Sequence, residues 1–375
     1  MDYLGVPFEV SVDPTAVADL RAALARTRWP EPETVDDWSQ GVPLAVARRF
    51  AEYWADGYDM QRPARRLNAH RQVLVELDGC PIHVLFAASP HPEALPLLLT
   101  HGWPGSVVEF LDVIPMLVDP PDPADAFSVI CPTLPGFGWS GKPSVSGWSV
   151  ERIAAAWVDL MVRQGVGRYG AAGGDWGAFV TAAVGTRDPG NVVGIHVTLP
   201  RAPEVPGAPV TEEEQAGLAS THEFRKRGSG YSAIQSTRPQ TVGYGLVDSP
   251  VAQLTWILDK FWAWTDHDGD FETVVDRDTV LDNVMTYWLT ASGASSARIY
   301  WESFPRHLGT DPVSVPVGAS IFPKEVAKVP RSWAQARFRD LRYWNTDLAR
   351  GGHFASLEVP EVYVEELRKF FRLVR

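Results

Sequence analysis

Residues 171–179 read AAGGDWGAF, and the reading of this run decides the fold. Small residues crowd both sides of one functional side chain, Asp175. Gly173, Gly174, Gly177 and Ala178 leave room for a sharp strand-to-helix turn that lifts the residue at its tip above a sheet, the shape of a nucleophile elbow. Such a tip usually carries serine; here it is a carboxylate. Taken alone, a Gly-Gly-Asp run also fits a helix cap, so other positions must decide.

Outward from the elbow the chain alternates. LPLLLTH (95–101), FSVICPTL (127–134), RYGAAGG (168–174) and VVGIHVTLP (192–200) are nearly continuous apolar strands. Between them lie amphipathic helices, one with Phe110, Leu111, Ile114 and Leu117, another starting at Ser149 with Ile153, Trp157, Leu160 and Met161 on one side. Strands of this kind imply a mostly parallel, doubly wound α/β sheet covered on both faces. Upstream, Asp13-Pro14 opens a helix, a second helical pattern carries Leu44, Phe50, Tyr53 and Trp54, and Asp78-Gly79 joins QVLVEL to CPIHVLFAA as a hairpin. From about Arg201 to Leu308 the alternation stops. Polar loops at Pro203–Gln215 and Lys226–Tyr231, helical patterns and many aromatic residues make this an inserted lid. VPVGASIF (315–322) and LRYWNTD (341–347) resume the sheet, and Pro360 starts a last helix with Val364, Leu367 and Phe371. The expected units are an N-terminal meander over 1–70, core over 71–200, lid over 201–308 and core again over 309–375.

Composition narrows the chemistry. The chain has 375 residues, 45% hydrophobic and 21% charged, with a formal net charge of -12. That charge argues against gripping nucleic acid or anionic lipid. Two cysteines, Cys80 and Cys131, fit no metal spacing and exclude a disulfide framework, although one bridge stays open. The N-terminus lacks a basic-then-apolar leader, and no window of about 18 uncharged apolar residues occurs. A cytoplasmic protein is expected.

Chain order tests the elbow. Where such a turn carries a nucleophile, an acid and then a histidine follow it. Glu325 in IFPKE fits the acid, with Asp340 and Asp347 as competitors, and His353 in ARGGHFAS fits the base. HGWPGS (101–106), after the LPLLLT strand, can aim backbone N–H groups at developing negative charge. We assign these donors to the amides of Trp103 and Trp176, each worth about 3 kcal/mol in a transition state. A serine competitor, Ser140 in GFGWSGK, fails the elbow motif because Lys142 occupies its fifth position.

HGWPGS, GGDWG (173–177), GYSAIQSTRPQTVGYGLVDSP (230–250), SSARIYWE (295–302), FPKE (322–325) and GGHFAS (351–356) together resemble the microsomal-type epoxide hydrolases. That family includes the juvenile hormone epoxide hydrolases and soluble bacterial relatives. The likeness spans nearly the whole chain, including PFEVSVDPTAVADLRAALARTRWPE (7–31), which resembles the family's N-terminal domain. It implies an α/β-hydrolase fold with Asp175 as nucleophile, His353 as base and Glu325 as its orienting acid. Tyr231 and Tyr300 would then be the acids that grip the epoxide oxygen. Membrane-bound animal members carry an apolar anchor that this sequence does not show.

The resemblance also explains the carboxylate. A serine that opened an epoxide would be left as an alkyl ether, which no nearby water could cleave, whereas aspartate becomes an ester that His353 and water can hydrolyse. No cofactor or metal is needed. The expected partners are a small-molecule epoxide and water, with a homodimer left open and no nucleic acid or membrane. A haloalkane dehalogenase shares the elbow aspartate and is the alternative reading; a non-catalytic ligand-binding member of the fold is a third. Trp256, Trp262, Trp264, Trp288 and Trp301 in the lid suggest an apolar substrate but equally suit lid packing. Detoxification and tailoring of a secondary metabolite are both compatible.

Overall fold

Leu97, Leu98 and Leu99 explain why the sheet must be covered on both faces: Leu98 joins one apolar cluster, while Leu97 and Leu99 join another. The computed structural model describes residues 4–304 and 310–375. Its strands are β1 (Val6–Pro7), β2 (Arg71–Leu77), β3 (Cys80–Ala87), β4 (Leu95–Thr100), β5 (Phe127–Pro132), β6 (Tyr169–Gly173), β7 (Val192–Val197), β8 (Val313–Ser320) and β9 (Phe338–Asn345). They form one nine-stranded sheet in the order β1-β2-β3-β5-β4-β6-β7-β8-β9. β1, β2, β3 and β5 pair antiparallel in succession, and every pairing from β5 through β4 to β9 is parallel. Asp78 and Gly79 both take positive φ in the β2–β3 turn, as an Asp-Gly hairpin requires.

The N-terminal segment before β2 is mainly helical, as its two helical patterns suggested. α1 (Pro14–Ala25) is capped by the Asp13 carboxylate, which accepts from Thr15 N–H at 2.8 Å. α2 (Leu44–Glu52) and the short α3 (Arg62–Asn68) follow. The expected helix after β4 is broken into a 3₁₀ turn, Val107–Phe110, and α4 (Ile114–Val118). α5 (Val150–Arg163) and α6 (Asp175–Arg187) cover one face, where Trp157 and Leu160 pack with Val180, Ile195 and Val317. On the other face, Leu117 packs with Phe127 and with Leu367, Phe370 and Phe371 from near the C-terminus.

Six helices form the insertion: α7 (Glu212–Glu223), α8 (Gly230–Thr237), α9 (Pro239–Asp248), α10 (Pro250–Trp264), α11 (Arg277–Leu289) and α12 (Gly293–Ser303). Two stretches expected as loops are partly helical, because Thr211 and Glu214 make a reciprocal capping box for α7 and α8 starts at Gly230. The boundary drawn between Leu308 and Gly309 lies outside the described residues. α13 (Arg331–Arg337), α14 (Ala355–Glu358) and α15 (Pro360–Phe371) complete the chain. β8 and β9 each begin two or three residues earlier than the apolar runs suggested.

The N-terminal segment clamps the insertion. Trp38 stacks on Trp262 at 4.7 Å with an interplanar angle of 1°. Buried Asp282 of α11 accepts from Tyr58 O–H at 2.7 Å and from Arg66 at 2.9 Å, and also pairs with Arg62. Each partner offsets the desolvation of that carboxylate. Cys80 and Cys131 are free and buried, so the bridge left open by the sequence does not form. No helix among the described residues is long and apolar enough to cross a membrane.

The elbow's glycines are steric necessities. A Cβ on Gly177 would lie 1.8 Å from the Thr100 carbonyl oxygen, and one on Gly173 would lie 2.6 Å from the Gly177 carbonyl carbon. Gly177→Ala must push α6 away from β4. It should destabilise the chain by about 1–3 kcal/mol, read as a lower urea midpoint with the same slope; an unchanged midpoint would contradict this packing.

Candidate active site

The tip of the elbow is strained. Asp175 has φ of 47°, a left-handed conformation that costs a non-glycine residue about 1–3 kcal/mol. Its side chain does not cap α6, whose N-cap position is Gly174 and lacks a side-chain cap bond. Instead Asp175 Oδ1 accepts from the Trp103 N–H at 2.8 Å. Gly102 makes that approach possible, since a Cβ there would lie 2.2 Å from Oδ1. Trp176 is the second residue of α6, so its amide is among the first-turn N–H groups without an intrahelical acceptor. The N-terminal end of the helix dipole therefore faces the same carboxylate.

His353 comes from the loop between β9 and α14. Its Nδ1 lies 2.7 Å from Glu325 Oε1, and its Nε2 lies 3.3 Å from Asp175 Oδ2. Glu325 stands just beyond β8, beside the Lys324–Gly352 bridge that joins the acid loop to the histidine loop. The acceptor at Nδ1 takes the N–H there and turns Nε2 toward Asp175. Nε2 is buried and has no hydrogen-bond partner among the described residues. The competing acids are elsewhere: Asp340 pairs with Arg342, and Asp347 is exposed. Ser140 is a structural residue, donating to the Thr133 carbonyl and accepting from His83 N–H.

Burial opposes a charged imidazole at His353. Glu325 and Asp175 outweigh it and hold the pKa well above the ordinary histidine value. The two carboxylates thus stabilise an imidazolium between them.

Above Asp175 the lid supplies the phenols. Tyr231, near the start of α8, stacks on Trp103 at 4.9 Å and 10°. Tyr300, on α12, meets Trp103 edge-on at 5.7 Å and Trp176 at 4.7 Å, and its ring lies 5.8 Å from that of Tyr231. Burial raises both phenol pKa values; Asp175 adds to the rise at Tyr231, and Tyr231 and Asp175 add to it at Tyr300. Both therefore stay protonated as donors. The Trp176 side chain, edge-on to Tyr300, partly offsets the rise there.

Three residues of this region, Lys260, Glu358 and Glu109, escaped sequence reasoning, and Trp264 was read only as one of the lid tryptophans. Trp264 packs edge-on against His353 at 4.9 Å, and its carbonyl accepts from His353 N–H at 2.9 Å. Lys260 places its ammonium 4.6 Å from the Tyr231 ring centroid. Glu358 accepts from Phe354 N–H at 3.0 Å and from Asp266 N–H at 2.6 Å, tying the histidine loop to the lid. Glu109 reaches under the HGWPGS loop. Of the five lid tryptophans singled out, only Trp264 packs against His353: Trp262 stacks on Trp38, Trp288 meets Trp54, Trp256 bonds Gln235, and Trp301 is exposed.

Comparison with known proteins gives the family. The family model described as "Epoxide hydrolase N terminus" matches residues 6–110, and that described as "alpha/beta hydrolase fold" matches residues 96–226. A putative epoxide hydrolase from Stigmatella aurantiaca is 49% identical, over 98% of this chain and 85% of that protein. The chain belongs to the epoxide hydrolase family. Epoxide hydrolase 1 of Sus scrofa is 31% identical over 98% of this chain and 88% of that protein. Among solved epoxide hydrolases, the juvenile hormone epoxide hydrolase of the silkworm Bombyx mori superposes with a TM-score of 0.93 at 29% identity, covering 100% of this chain and 95% of that one. The Aspergillus niger epoxide hydrolase gives 0.90 at 31% identity, covering 99% and 97%. The fold is that of the α/β hydrolases, with its helical insertion between β7 and β8.

Because Asp175 is one of the two charges that raise His353, Asp175→Asn should lower the imidazole pKa relative to the unaltered protein. A nitrogen-15 NMR titration of the His353 ring reads this directly, and an unchanged midpoint would contradict the coupling.

Proposed function

We propose that this epoxide hydrolase opens an apolar epoxide to the vicinal diol through a covalent ester on Asp175. One observation carries the reading: a strained carboxylate has an amide donor on Oδ1, an imidazole beside Oδ2 and two buried phenols above it.

Tyr231 and Tyr300 donate to the epoxide oxygen, and Asp175 Oδ2 attacks a ring carbon. The Oδ2–C bond forms, the ring C–O bond breaks, and the released oxygen takes a proton from one phenol. Held donors in a site shielded from water meet this charge without reorganisation.

Alkylation removes the charge on Asp175. One of the two carboxylates that keep His353 protonated is then neutral, so the imidazolium gives its proton back to the phenolate and becomes a free base at the step that needs one. His353 Nε2 takes a proton from water while the water oxygen adds to Asp175 Cγ. The amides of Trp103 and Trp176 hold the negative charge on Oδ1. Collapse expels the second diol oxygen, which takes the proton from His353, and the proton left on Asp175 returns to the imidazole and restores the resting pair. The sum is epoxide plus water to diol.

The paired phenols favour an epoxide over a haloalkane, because they remain protonated donors for the oxygen that ring opening releases. In this reading residues 1–70 brace the lid, 71–200 and 309–375 form the core, and 201–308 close over a substrate in the cytoplasm.

His353→Gln should leave alkylation intact and stop hydrolysis. Denaturing mass spectrometry of that variant with styrene oxide should show the Asp175 peptide heavier by one substrate; lost turnover with no adduct would refute the two-step cycle. Replacing both Tyr231 and Tyr300 by Phe should slow adduct formation by about 10²-fold or more, measured by rapid quench. A variant slowed only in hydrolysis would remove the phenols from the role.

A further inference from the structure

Glu109 is a buried acid that the cycle above does not use. It sits in the 3₁₀ turn Val107–Phe110, directly after the loop that carries the Trp103 amide. Its carboxyl draws on the backbone N–H of Gly102, the residue pressed against Asp175 Oδ1. A Cβ on Gly105 would lie 3.0 Å from Glu109 Oε1, so that glycine leaves the space this carboxyl fills. Oε1 is buried and has no hydrogen-bond partner among the described residues. A buried carboxyl oxygen in that state needs an acceptor's complement, and a small polar molecule supplies it when a second polar group faces the same point.

The second group is present. His353 Nε2 is likewise buried and makes no hydrogen bond among the described residues beyond its 3.3 Å ion-pair approach to Asp175 Oδ2, whose charge alkylation removes, and Glu109 interacts electrostatically with both His353 and Asp175. We propose that Glu109 and His353 hold the hydrolytic water between them: one O–H points to His353 Nε2, the other to Glu109 Oε1, and the oxygen lone pair is left facing Asp175 Cγ. The inference rests on the ester cycle above and adds the residue that aims its second step. During attack the proton on the His353 side moves to Nε2, the water oxygen bonds to Cγ, and the proton on the Glu109 side stays on the new hydroxyl. Glu109 gains and loses nothing.

Its own protonation suits that role. Burial pushes the Glu109 pKa up to about 8, against a lowering by His353, with Asp175 adding to the rise. At neutral pH it is chiefly the uncharged acid, so its oxygen accepts from water without setting a second negative charge beside the oxyanion on Oδ1.

The neutral acid makes glutamine its close mimic and methionine its acceptor-free counterpart. In single turnovers with styrene oxide, read by quench and mass spectrometry, Glu109→Gln should keep both steps within about threefold of the unaltered enzyme. Glu109→Met should alkylate Asp175 at the normal rate and hydrolyse the ester ~10²-fold more slowly, so that ester accumulates and kcat and KM fall together. Normal hydrolysis in Glu109→Met, or equal loss of both steps, overturns the assignment. If Glu109→Met does not fold by circular dichroism, Glu109→Gln still decides against it by hydrolysing more than about tenfold slowly. Failure of the underlying cycle reads differently, as the absence of any Asp175 adduct in His353→Gln.

Discussion

The carboxylate of Asp175 is held between a backbone amide at 2.8 Å and an imidazole at 3.3 Å, on a residue forced to a φ of 47°. Much of the surrounding structure keeps those three facts true together. Gly102, Gly173 and Gly177 have no side chain because α6, β4 and the HGWPGS loop converge too closely for one. The strain is tolerated because the parallel strands and the helix behind the elbow are fully packed and leave the turn no alternative.

The histidine is fixed by a different route. Its side chain depends on Glu325, but its backbone depends on the insertion: the Trp264 carbonyl accepts from His353 N–H, Asp266 accepts from Gly351 N–H, and Glu358 closes the loop by bonding Asp266 and Phe354 amides. Helices that bring the phenols over Asp175 therefore also set the position of His353. The N-terminal segment reinforces this through Trp38 on Trp262 and the Tyr58, Arg62 and Arg66 contacts to Asp282. Loosening that segment should disturb chemistry it never touches.

The parts of the site that were legible in the sequence are those with local causes. Asp175 is marked by the small residues the turn demands, and His353 and Glu325 by their order after it, each beside a strand end. Tyr231 and Tyr300 were legible only through resemblance, because nothing local separates a donor phenol from a packing one. Glu109 was hidden because VVEFLDVI reads as one amphipathic helix with Glu109 on its polar side; the chain instead makes a 3₁₀ turn that buries the carboxyl. Glu358, Trp264 and Lys260 act on Asp266, His353 and Tyr231, roughly 30 to 90 residues away, a distance at which periodicity carries no information. The same limit applies to α7, whose capping box lay inside a stretch that looked like polar loop.

The central claim is that Asp175 itself gives an oxygen to the product and recovers it from water. A single turnover in oxygen-18 water, with enzyme in excess over styrene oxide, tests it most directly. The account predicts that the first diol is unlabelled and that the label appears in the Asp175 carboxyl of the digested protein. Labelled diol in that first turnover, with Asp175 unchanged, would mean that water attacks the epoxide directly and would contradict it.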